Sequence, residues 1–247
     1  MKNLIIVLIP ARFGSTRFPG KALASINGKA MVSHVFDKAR AEFDHVFVAT
    51  DDQRIVDAVE SHGGKAILTG LHHQSGTDRC AEAIQKTNLF PGPETIVINL
   101  QGDEPFIPSN LLKRLTEAFQ EEEVEIATLM HPITDMQDVM NPNRVKVVFD
   151  KNNKALSFSR LSKPLSESRD QNSSSLGFQH IGIYAFRLSV LEEIVKLSPS
   201  PLEIKESLEQ LRWLENGYSI HCIETDYGGF GIDTPEDLER ATLLNLD

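Results

Sequence analysis

Short runs of apolar and β-branched residues alternate with longer helical patterns through the first half of this chain. The predicted strands are residues 4–9, 45–50, 65–68, 95–100 and 125–130. The predicted helices, with apolar residues three and four positions apart, are residues 30–42, 53–62, 78–88 and 110–121. Because parallel strands are joined by crossovers of this length, the alternation predicts βαβ units. We therefore expect an α/β fold with a doubly wound, mostly parallel sheet.

The pattern changes after Met130. Residues 145–149 and 155–159 flank an asparagine-containing turn and predict an inserted β-hairpin. Residues 161–179 carry six serines among other polar residues, so we expect a mobile loop there. The remaining predicted elements are a strand at 180–186, helices at 190–196 and 201–215, a strand at 219–224 and a helix at 235–244. We expect a single domain, residues 1–247, in which approximately residues 131–187 form an inserted β region.

The charge balance excludes two classes of partner. The 247 residues include 25 Lys and Arg against 35 Asp and Glu, a net charge of −10, which repels nucleic acid and anionic membranes. The longest strongly apolar run, residues 4–9, is far shorter than the roughly 20 residues that cross a bilayer, and no signal-peptide cleavage pattern follows it. We therefore expect a cytoplasmic protein that binds neither nucleic acid nor membrane. Cys80 and Cys222 are expected to be reduced thiols.

The segment after the first predicted strand is basic and contains glycine. Residues 10–21 have the sequence PARFGSTRFPGK, with three fixed positive charges, two glycines and two hydroxyl side chains. Ligands of open parallel sheets bind beyond the carboxyl ends of the strands, and glycine lets backbone N–H groups approach phosphate oxygens. The segment is not a Walker loop, because five residues separate Gly14 from Gly20, and it lacks a GxGxxG motif. It predicts a polyphosphate-binding loop, with a solvated basic turn as the alternative.

Two aspartates are candidates for binding a divalent cation. Asp103 follows the fourth predicted strand, and Asp233 precedes the last predicted helix, which Thr234 can cap without it. Magnesium prefers hard carboxylate oxygens and retains part of its water shell. The two aspartates therefore predict a magnesium site, with a turn or capping role as the alternative for each.

Two further pairs of polar residues are weaker candidates. Ser75 and Arg79 stand at the start of a predicted helix, where they can contact a nucleotide or serve an ordinary capping role. His180 and Tyr184 lie four apart on a predicted strand and share a face, which also suits two core residues.

Two more pairs have a stronger ordinary explanation. Glu209 and Gln210 lie on a predicted helix, where a solvated polar face is the alternative to a binding role. His72 and His73 lack a third ligand at a metal-binding spacing, so no metal site is predicted there.

Eight motifs, in order along nearly the whole chain, resemble those of the 3-deoxy-manno-octulosonate (Kdo) cytidylyltransferases, the CMP-Kdo synthetases of lipopolysaccharide-making bacteria. The motifs occupy residues 10–21, 49–52, 75–79, 99–108, 141–148, 180–186, 200–217 and 231–240. The resemblance implies a fold of the nucleotide-diphospho-sugar transferase type. It also implies transfer of CMP from CTP to the anomeric hydroxyl of Kdo, with release of pyrophosphate and with Mg²⁺ as cofactor. Members of this family are usually homodimers built partly on the inserted β region, so a homodimer is expected here.

The resemblance further implies a role for each matching residue. The catalytic residues it implies are Arg12, Lys21, Asp103 and Asp233, of which Asp103 and Asp233 hold the magnesium. The nucleotide-binding residues are Ala11, Arg12, Ser15, Lys21, Ser75, Arg79 and Gln101. The sugar-binding residues are Gln101, Arg160, His180, Tyr184, Glu209 and Gln210.

Three alternatives to this function stay open at the level of the sequence. The first is action on another acidic sugar, either 8-amino-Kdo or a sialic acid. A nucleotide-binding module without catalysis is the second alternative, which the presence of both Asp103 and Asp233 disfavours. A nicotinamide oxidoreductase is the third, and the missing dinucleotide motif disfavours it.

Overall fold

The computed structural model describes residues 3–15, 17–162 and 175–244, which fall into two units. One unit combines Met1–Lys113 with Gly229–Asp247, and the other is Arg114–Gly228. In chain order the elements are β1 (Ile5–Ala11), β2 (Ser25–Ile26), β3 (Lys29–Ala30), α1 (Met31–Arg40), β4 (Val46–Thr50), α2 (Gln53–Ser61), β5 (Ala66–Leu68), α3 (Gly76–Gln85), β6 (Ile96–Asn99), α4 (Ser109–Glu117), β7 (Ile126–Ile133), α5 (Met136–Met140), β8 (Lys146–Phe149), β9 (Ala155–Ser159), β10 (Gly177–Arg187), α6 (Leu188–Ile194), α7 (Pro201–Glu206), α8 (Gln210–Glu215), β11 (Ile220–Glu224) and α9 (Pro235–Thr242).

The first unit is built on four parallel strands in the order β6-β1-β4-β5. Four consecutive residues of β1, from Ile6 to Ile9, are completely buried, as expected for an interior parallel strand that is covered on both faces. Helix α1 buries the apolar face that its periodicity predicts, including Val32, Val35 and Phe36. The strands and helices predicted for this part of the chain are therefore confirmed, with ends that differ by a few residues.

A small hairpin in the first unit was not expected from the periodicity. Strands β2 and β3 pair antiparallel across Asn27 and Gly28, which both have positive φ, 51° and 84°. An Asn-Gly pair with positive φ at both positions is the signature of a two-residue hairpin turn. The Asn-Gly dipeptide was the available signal, but two-residue strands are too short to show alternation.

The second unit contains the strands β7 to β11. Strand β7 pairs parallel with β11 and antiparallel with β10, and β8 joins β10 to β9. The predicted hairpin is confirmed, because β8 and β9 pair antiparallel, with Lys146 opposite Ser159. The predicted inserted region, residues 131–187, falls within this unit.

Two predictions for the second unit need correction. The helix expected at 201–215 is two helices, α7 and α8, because Ser207 adopts a left-handed conformation with a φ of 54°. The loop expected at 161–179 is shorter at its end, since β10 already begins at Gly177. Residues 163–174 of that loop lie outside the described residues. Helix α5, which Asp135 caps, was not predicted.

Across residues 3–15, 17–162 and 175–244, no helix has the combination of length and apolar composition that spanning a bilayer requires.

Candidate active site

The chain leaves β1 into a loop that folds around Phe13. The Phe13 carbonyl accepts hydrogen bonds from the N–H groups of Ser15 and Gly20, both at 2.9 Å. The Phe13 N–H donates to Asp51 Oδ1 at 3.3 Å, and the Arg54 guanidinium lies 3.4 Å from the ring centroid. Gly20 has a φ of 71°, and a Cβ there would lie 3.1 Å from the Phe13 ring. Glycine at this position therefore lets the loop close on Phe13.

A cavity of about 300 Å³ lies beside this loop, in the first unit. Its lining includes all nine residues predicted to bind the nucleotide or magnesium: Ala11, Arg12, Ser15, Lys21, Ser75, Arg79, Gln101, Asp103 and Asp233. The end of β1 and the segment after β6 both contribute, which is where an open parallel sheet binds its ligands. Arg17, His73 and Gln74 also line the cavity. Of these three, only Arg17 belongs to the basic segment recognised in the sequence.

Lys21 lies between the two predicted magnesium ligands. Its Nζ donates to Asp103 Oδ2 at 2.5 Å and to Asp233 Oδ1 at 3.0 Å, and Arg17 Nη2 lies 2.9 Å from Asp233 Oδ2. Burial lowers the pKa of Lys21, but the charges of the two aspartates outweigh this effect and the net pKa is raised. Burial raises the pKa of Asp233, yet Lys21 and Arg17 hold it below its ordinary value. Asp233 is therefore ionised at neutral pH.

Buried apolar residues place both aspartates. Ile232 is fully buried in a cluster with Ile26 and Met31, so the residue that follows it, Asp233, emerges at the cavity. The Ile232 N–H donates to the Asp103 carbonyl at 2.9 Å, which ties the two segments together. A Cβ at Gly102 would come within 3.0 Å of the Pro10 carbonyl oxygen, so glycine lets this segment lie against the end of β1.

The residues present suit a magnesium ion. Asp103 and Asp233 each place one carboxylate oxygen within hydrogen-bonding distance of the same cationic nitrogen, so their side chains converge on one point. Both side chains are partly exposed, at 26% and 44%, which leaves room for water in a coordination shell. Carboxylate oxygens together with water are the ligands that Mg²⁺ prefers in proteins.

Arg79 and Ser75 are both engaged by the protein. The Arg79 guanidinium is buried and lies 2.8 Å from Asp51 Oδ2 and 2.6 Å from Thr69 Oγ1. The Ser75 hydroxyl accepts a hydrogen bond from the Asp78 N–H at 3.0 Å and caps α3. Ser75 thus has the capping role that the sequence left open, whereas Arg79 forms a buried ion pair, and both residues also line the cavity.

His180 and Tyr184 are neighbours within the core of the second unit. Their ring centroids are 5.4 Å apart, and His180 Nε2 lies 3.0 Å from Thr128 Oγ1. Burial lowers the pKa of His180 to about 3, so the imidazole is neutral at neutral pH. Burial and the nearby charge of Glu209 raise the pKa of Tyr184. The predicted shared face is therefore correct, even though β10 carries an irregularity between Ile181 and Tyr184.

The other four predicted sugar-binding residues belong to the second unit or to the cavity of the first. Arg160 donates from Nε to the Glu206 carbonyl at 3.0 Å, beside the end of α7. Gln210 is buried, so the solvated-face alternative is wrong for it, whereas Glu209 is half-buried. Gln101 lines the cavity described above.

Comparison with known proteins supports the fold and identifies the family. The family model described as cytidylyltransferase matches residues 6–220. The 3-deoxy-manno-octulosonate cytidylyltransferase of Cytophaga hutchinsonii is 48% identical over 244 residues, and the alignment covers 96% of each chain. The enzyme of the same name from Thermodesulfovibrio yellowstonii is 49% identical over 247 residues, again with 96% of each chain covered.

A solved structure agrees with these relatives. It is that of a CMP:2-keto-3-deoxy-manno-octonic acid synthetase in complex with CTP, 39% identical and with a TM-score of 0.87 over 98% of each chain. The expected α/β fold with a mostly parallel sheet is confirmed by this similarity. With nearly complete coverage and 48% and 49% identity to two relatives of the same name, the chain belongs to the cytidylyltransferase family and, within it, to the 3-deoxy-manno-octulosonate cytidylyltransferases.

Proposed function

We propose that this chain transfers the cytidylyl group of CTP to the anomeric hydroxyl of Kdo, forming CMP-Kdo and releasing pyrophosphate. The observation that carries this function is the convergence of Asp103, Asp233 and Lys21 at one cavity that the basic loop also lines. That arrangement combines anionic ligands for a divalent cation with cationic groups for a triphosphate. The names of the related enzymes described above specify the nucleotide, CTP, and the sugar, Kdo.

The basic loop binds the triphosphate in this proposal. Arg12 and Lys21 supply positive charge, and the Ser15 hydroxyl supplies a directional donor. Catalysis of phosphoryl transfer depends mainly on positioning and on stabilising charge in the transition state. Arg12 and Lys21 therefore stabilise the departing pyrophosphate, and no covalent intermediate on the protein is required.

Asp103 and Asp233 would hold Mg²⁺ in the same proposal. When bound, the ion supplies a compact double positive charge for the phosphate oxygens. The chain's own contribution is to aim both carboxylates at one point, which the burial of Ile232 and the close packing at Gly102 accomplish.

The second unit supplies the sugar-binding residues of the proposal: Arg160, His180, Tyr184, Glu209 and Gln210. An arginine suits the Kdo carboxylate, and the polar side chains suit its hydroxyls. His180 is neutral, so it can interact with the sugar through hydrogen bonds but not through a charge. Its role in the proposal is therefore to orient the sugar. We also propose that the chain works in the cytoplasm, for lipopolysaccharide synthesis, as a homodimer that uses the β8–β9 hairpin in its contact.

Pyrophosphate release tests the activity directly. The purified chain is mixed with Mg²⁺, each of the four ribonucleoside triphosphates in turn, and Kdo, 8-amino-Kdo or a sialic acid. We expect rapid release only with CTP and Kdo. Faster turnover of another acidic sugar would identify that sugar, and not Kdo, as the substrate. Absence of pyrophosphate release with every sugar would favour a nucleotide-binding module.

Asp103→Asn provides the matched variant for this assay. We expect its turnover to fall by about 100-fold or more, because a preorganised charge is lost at the phosphate, while the protein stays folded at the assay temperature. Asp44→Asn, which changes an aspartate that is 92% exposed, is the control and is expected to keep wild-type rates. Near-normal turnover of Asp103→Asn would remove Asp103 from the proposed mechanism.

A further inference from the structure

Three potential metal ligands converge in the segment between β5 and the middle of α3. One nitrogen each from His72 and His73 and one carboxylate oxygen of Glu82 lie within 4.8 Å of one another. The sequence-based expectation that the two histidines lack a third ligand is therefore wrong. Helix α3, which begins after its Ser75 cap, brings Glu82 back toward the histidines, so the third ligand is nine positions from His73 and on a different element.

The Glu82 carboxylate is held in a defined orientation. Its Oε2 accepts a hydrogen bond from the Gly70 N–H at 2.9 Å and contacts His73 Nε2, and its Oε1 lies 2.5 Å from Lys86 Nζ. Burial raises the pKa of Glu82, but Lys86, His73 and the Gly70 N–H overcome that effect and lower the pKa to about 2. The protein therefore fixes the position of both oxygens of this carboxylate, one of them beside His73.

Gly70 permits the close approach of the cluster. A Cβ at Gly70 would lie 2.5 Å from two atoms of the His72 ring and 3.3 Å from Glu82 Oε2. Any side chain at this position would push the His72 ring away from the carboxylate. The His72 and His73 ring centroids are 4.3 Å apart, so both imidazoles stay beside the same carboxylate.

We propose that His72, His73 and Glu82 form a second cation site, for a transition metal of the zinc class, separate from the magnesium ligands Asp103 and Asp233. Two imidazole nitrogens and one carboxylate oxygen suit Zn²⁺, which commonly takes three protein ligands and leaves a fourth position open to water. The Asp103 and Asp233 pair offers only oxygen, which suits Mg²⁺. The two sites thus differ in the chemistry of their ligands.

The second site is connected to the nucleotide cavity through His73. His73 and Gln74 line the cavity, and Ser75 both lines it and caps α3. An ion between His73 Nε2 and Glu82 Oε2 replaces their direct contact with two metal–ligand bonds and fixes this part of the cavity wall to α3. The site therefore serves to order the segment that leads into α3.

Cobalt binding tests the proposal, with Co²⁺ as a spectroscopic substitute for Zn²⁺. The full-length protein, free of nucleotide and Mg²⁺, is titrated with Co²⁺ while its visible absorption is recorded, and Zn²⁺ is then added. We expect one Co²⁺ per chain with the intense absorption of a four-coordinate site containing imidazole, and displacement by Zn²⁺. Absence of such a band in the wild-type protein would overturn the proposal.

Variants assign the band to the cluster. His72→Gln changes an exposed side chain and is expected to weaken Co²⁺ binding by about tenfold or more, with an unchanged unfolding curve in the absence of metal. Glu82→Gln should weaken Co²⁺ binding to a similar extent and also lower the stability of the metal-free protein, because the ion pair with Lys86 is lost. His45→Gln and Asp103→Asn are the controls and should keep the band, because one removes a histidine elsewhere and the other a magnesium ligand. Equal Co²⁺ affinity in His72→Gln and the wild type would contradict the assignment, whatever the transferase activity.

Discussion

Arg79 and Asp51 form a buried ion pair that links the wall of the 300 Å³ cavity to the loop after β1. Arg79 Nη2 lies 2.8 Å from Asp51 Oδ2, and the two side chains are 4% and 11% exposed. The other oxygen of Asp51 accepts the N–H of Phe13, around which the basic loop folds. Asp51 lies in the motif at residues 49–52, yet no role for it was predicted from the sequence.

Asp51→Ala is expected to destabilise the protein by about 3 kcal/mol, because the Arg79 charge stays buried without its partner. We also expect KM for CTP to rise, since Phe13 loses a hydrogen bond that holds the phosphate-binding loop. Urea unfolding and steady-state kinetics measure the two effects. Asp44→Ala, at a side chain that is 92% exposed, is the control and should change neither quantity. An unfolding free energy of Asp51→Ala equal to that of the control would exclude a stabilising role for the pair.

Lys21→Gln is expected to change the pH dependence of stability on both sides of neutrality. The raised pKa of Lys21 contributes stability below 10.5 that is lost as the pH rises through the folded-state value. The lowered pKa of Asp233 contributes stability above 3.8 that is lost as the pH falls through its folded-state value. Without Lys21, the melting temperature should therefore be reduced between these limits and approach that of the wild type outside them.

Thermal unfolding from acid to alkaline pH measures this difference. Lys196→Gln, which removes an exposed lysine, should follow the wild-type curve throughout. Lys21→Gln should also lower turnover by about 100-fold, since a charge at the phosphates is lost. A melting temperature of Lys21→Gln that matches the wild type at pH 7 would contradict the stabilising role of the Lys21 ion pairs.

Gly20→Ala is expected to destabilise the protein by about 1–2 kcal/mol. Its φ of 71° is unfavourable for a residue with a Cβ, and that Cβ would lie 3.1 Å from the Phe13 ring. Gly14→Ala in the same loop is the matched control, because a Cβ there has nothing within 4 Å. Urea unfolding of the two variants compares their stabilities, and equal stabilities would contradict a cost from either the positive φ or the contact with Phe13.

His180 is expected to lower the free energy of unfolding as the pH falls from 6.5 toward 3. The unfolded chain binds a proton in this range, whereas the pKa of His180 in the folded chain is about 3. The free energy of unfolding should therefore decrease with falling pH, and His180→Gln should reduce that slope. An NMR titration that found the His180 imidazole half-protonated near pH 6.5 in the folded protein would refute this.

Whether a segment forms a helix or a strand could be predicted from the pattern of neighbouring residues. The buried run of β1 and the apolar face of α1 lie where local periodicity puts them, and α7 begins at Pro201, the first residue of the helix predicted at 201–215. The same local reasoning failed at Ser207, where a left-handed residue divides the expected helix. Serine rarely adopts that conformation, so residue preferences do not predict a break in the helix at this position.

The composition of the site depended on contacts that no local pattern contains. Identifying the basic loop, Asp103 and Asp233 as candidates required only their residue types and their places beside predicted elements. That Lys21 lies between the two aspartates, 212 positions from Asp233, followed only from the packing of Ile232 against Ile26 and Met31. Likewise, Glu82 joins His72 and His73 because of the course of α3. Periodicity is a property of neighbouring residues, whereas contacts between residues far apart in the sequence depend on how every intervening element packs.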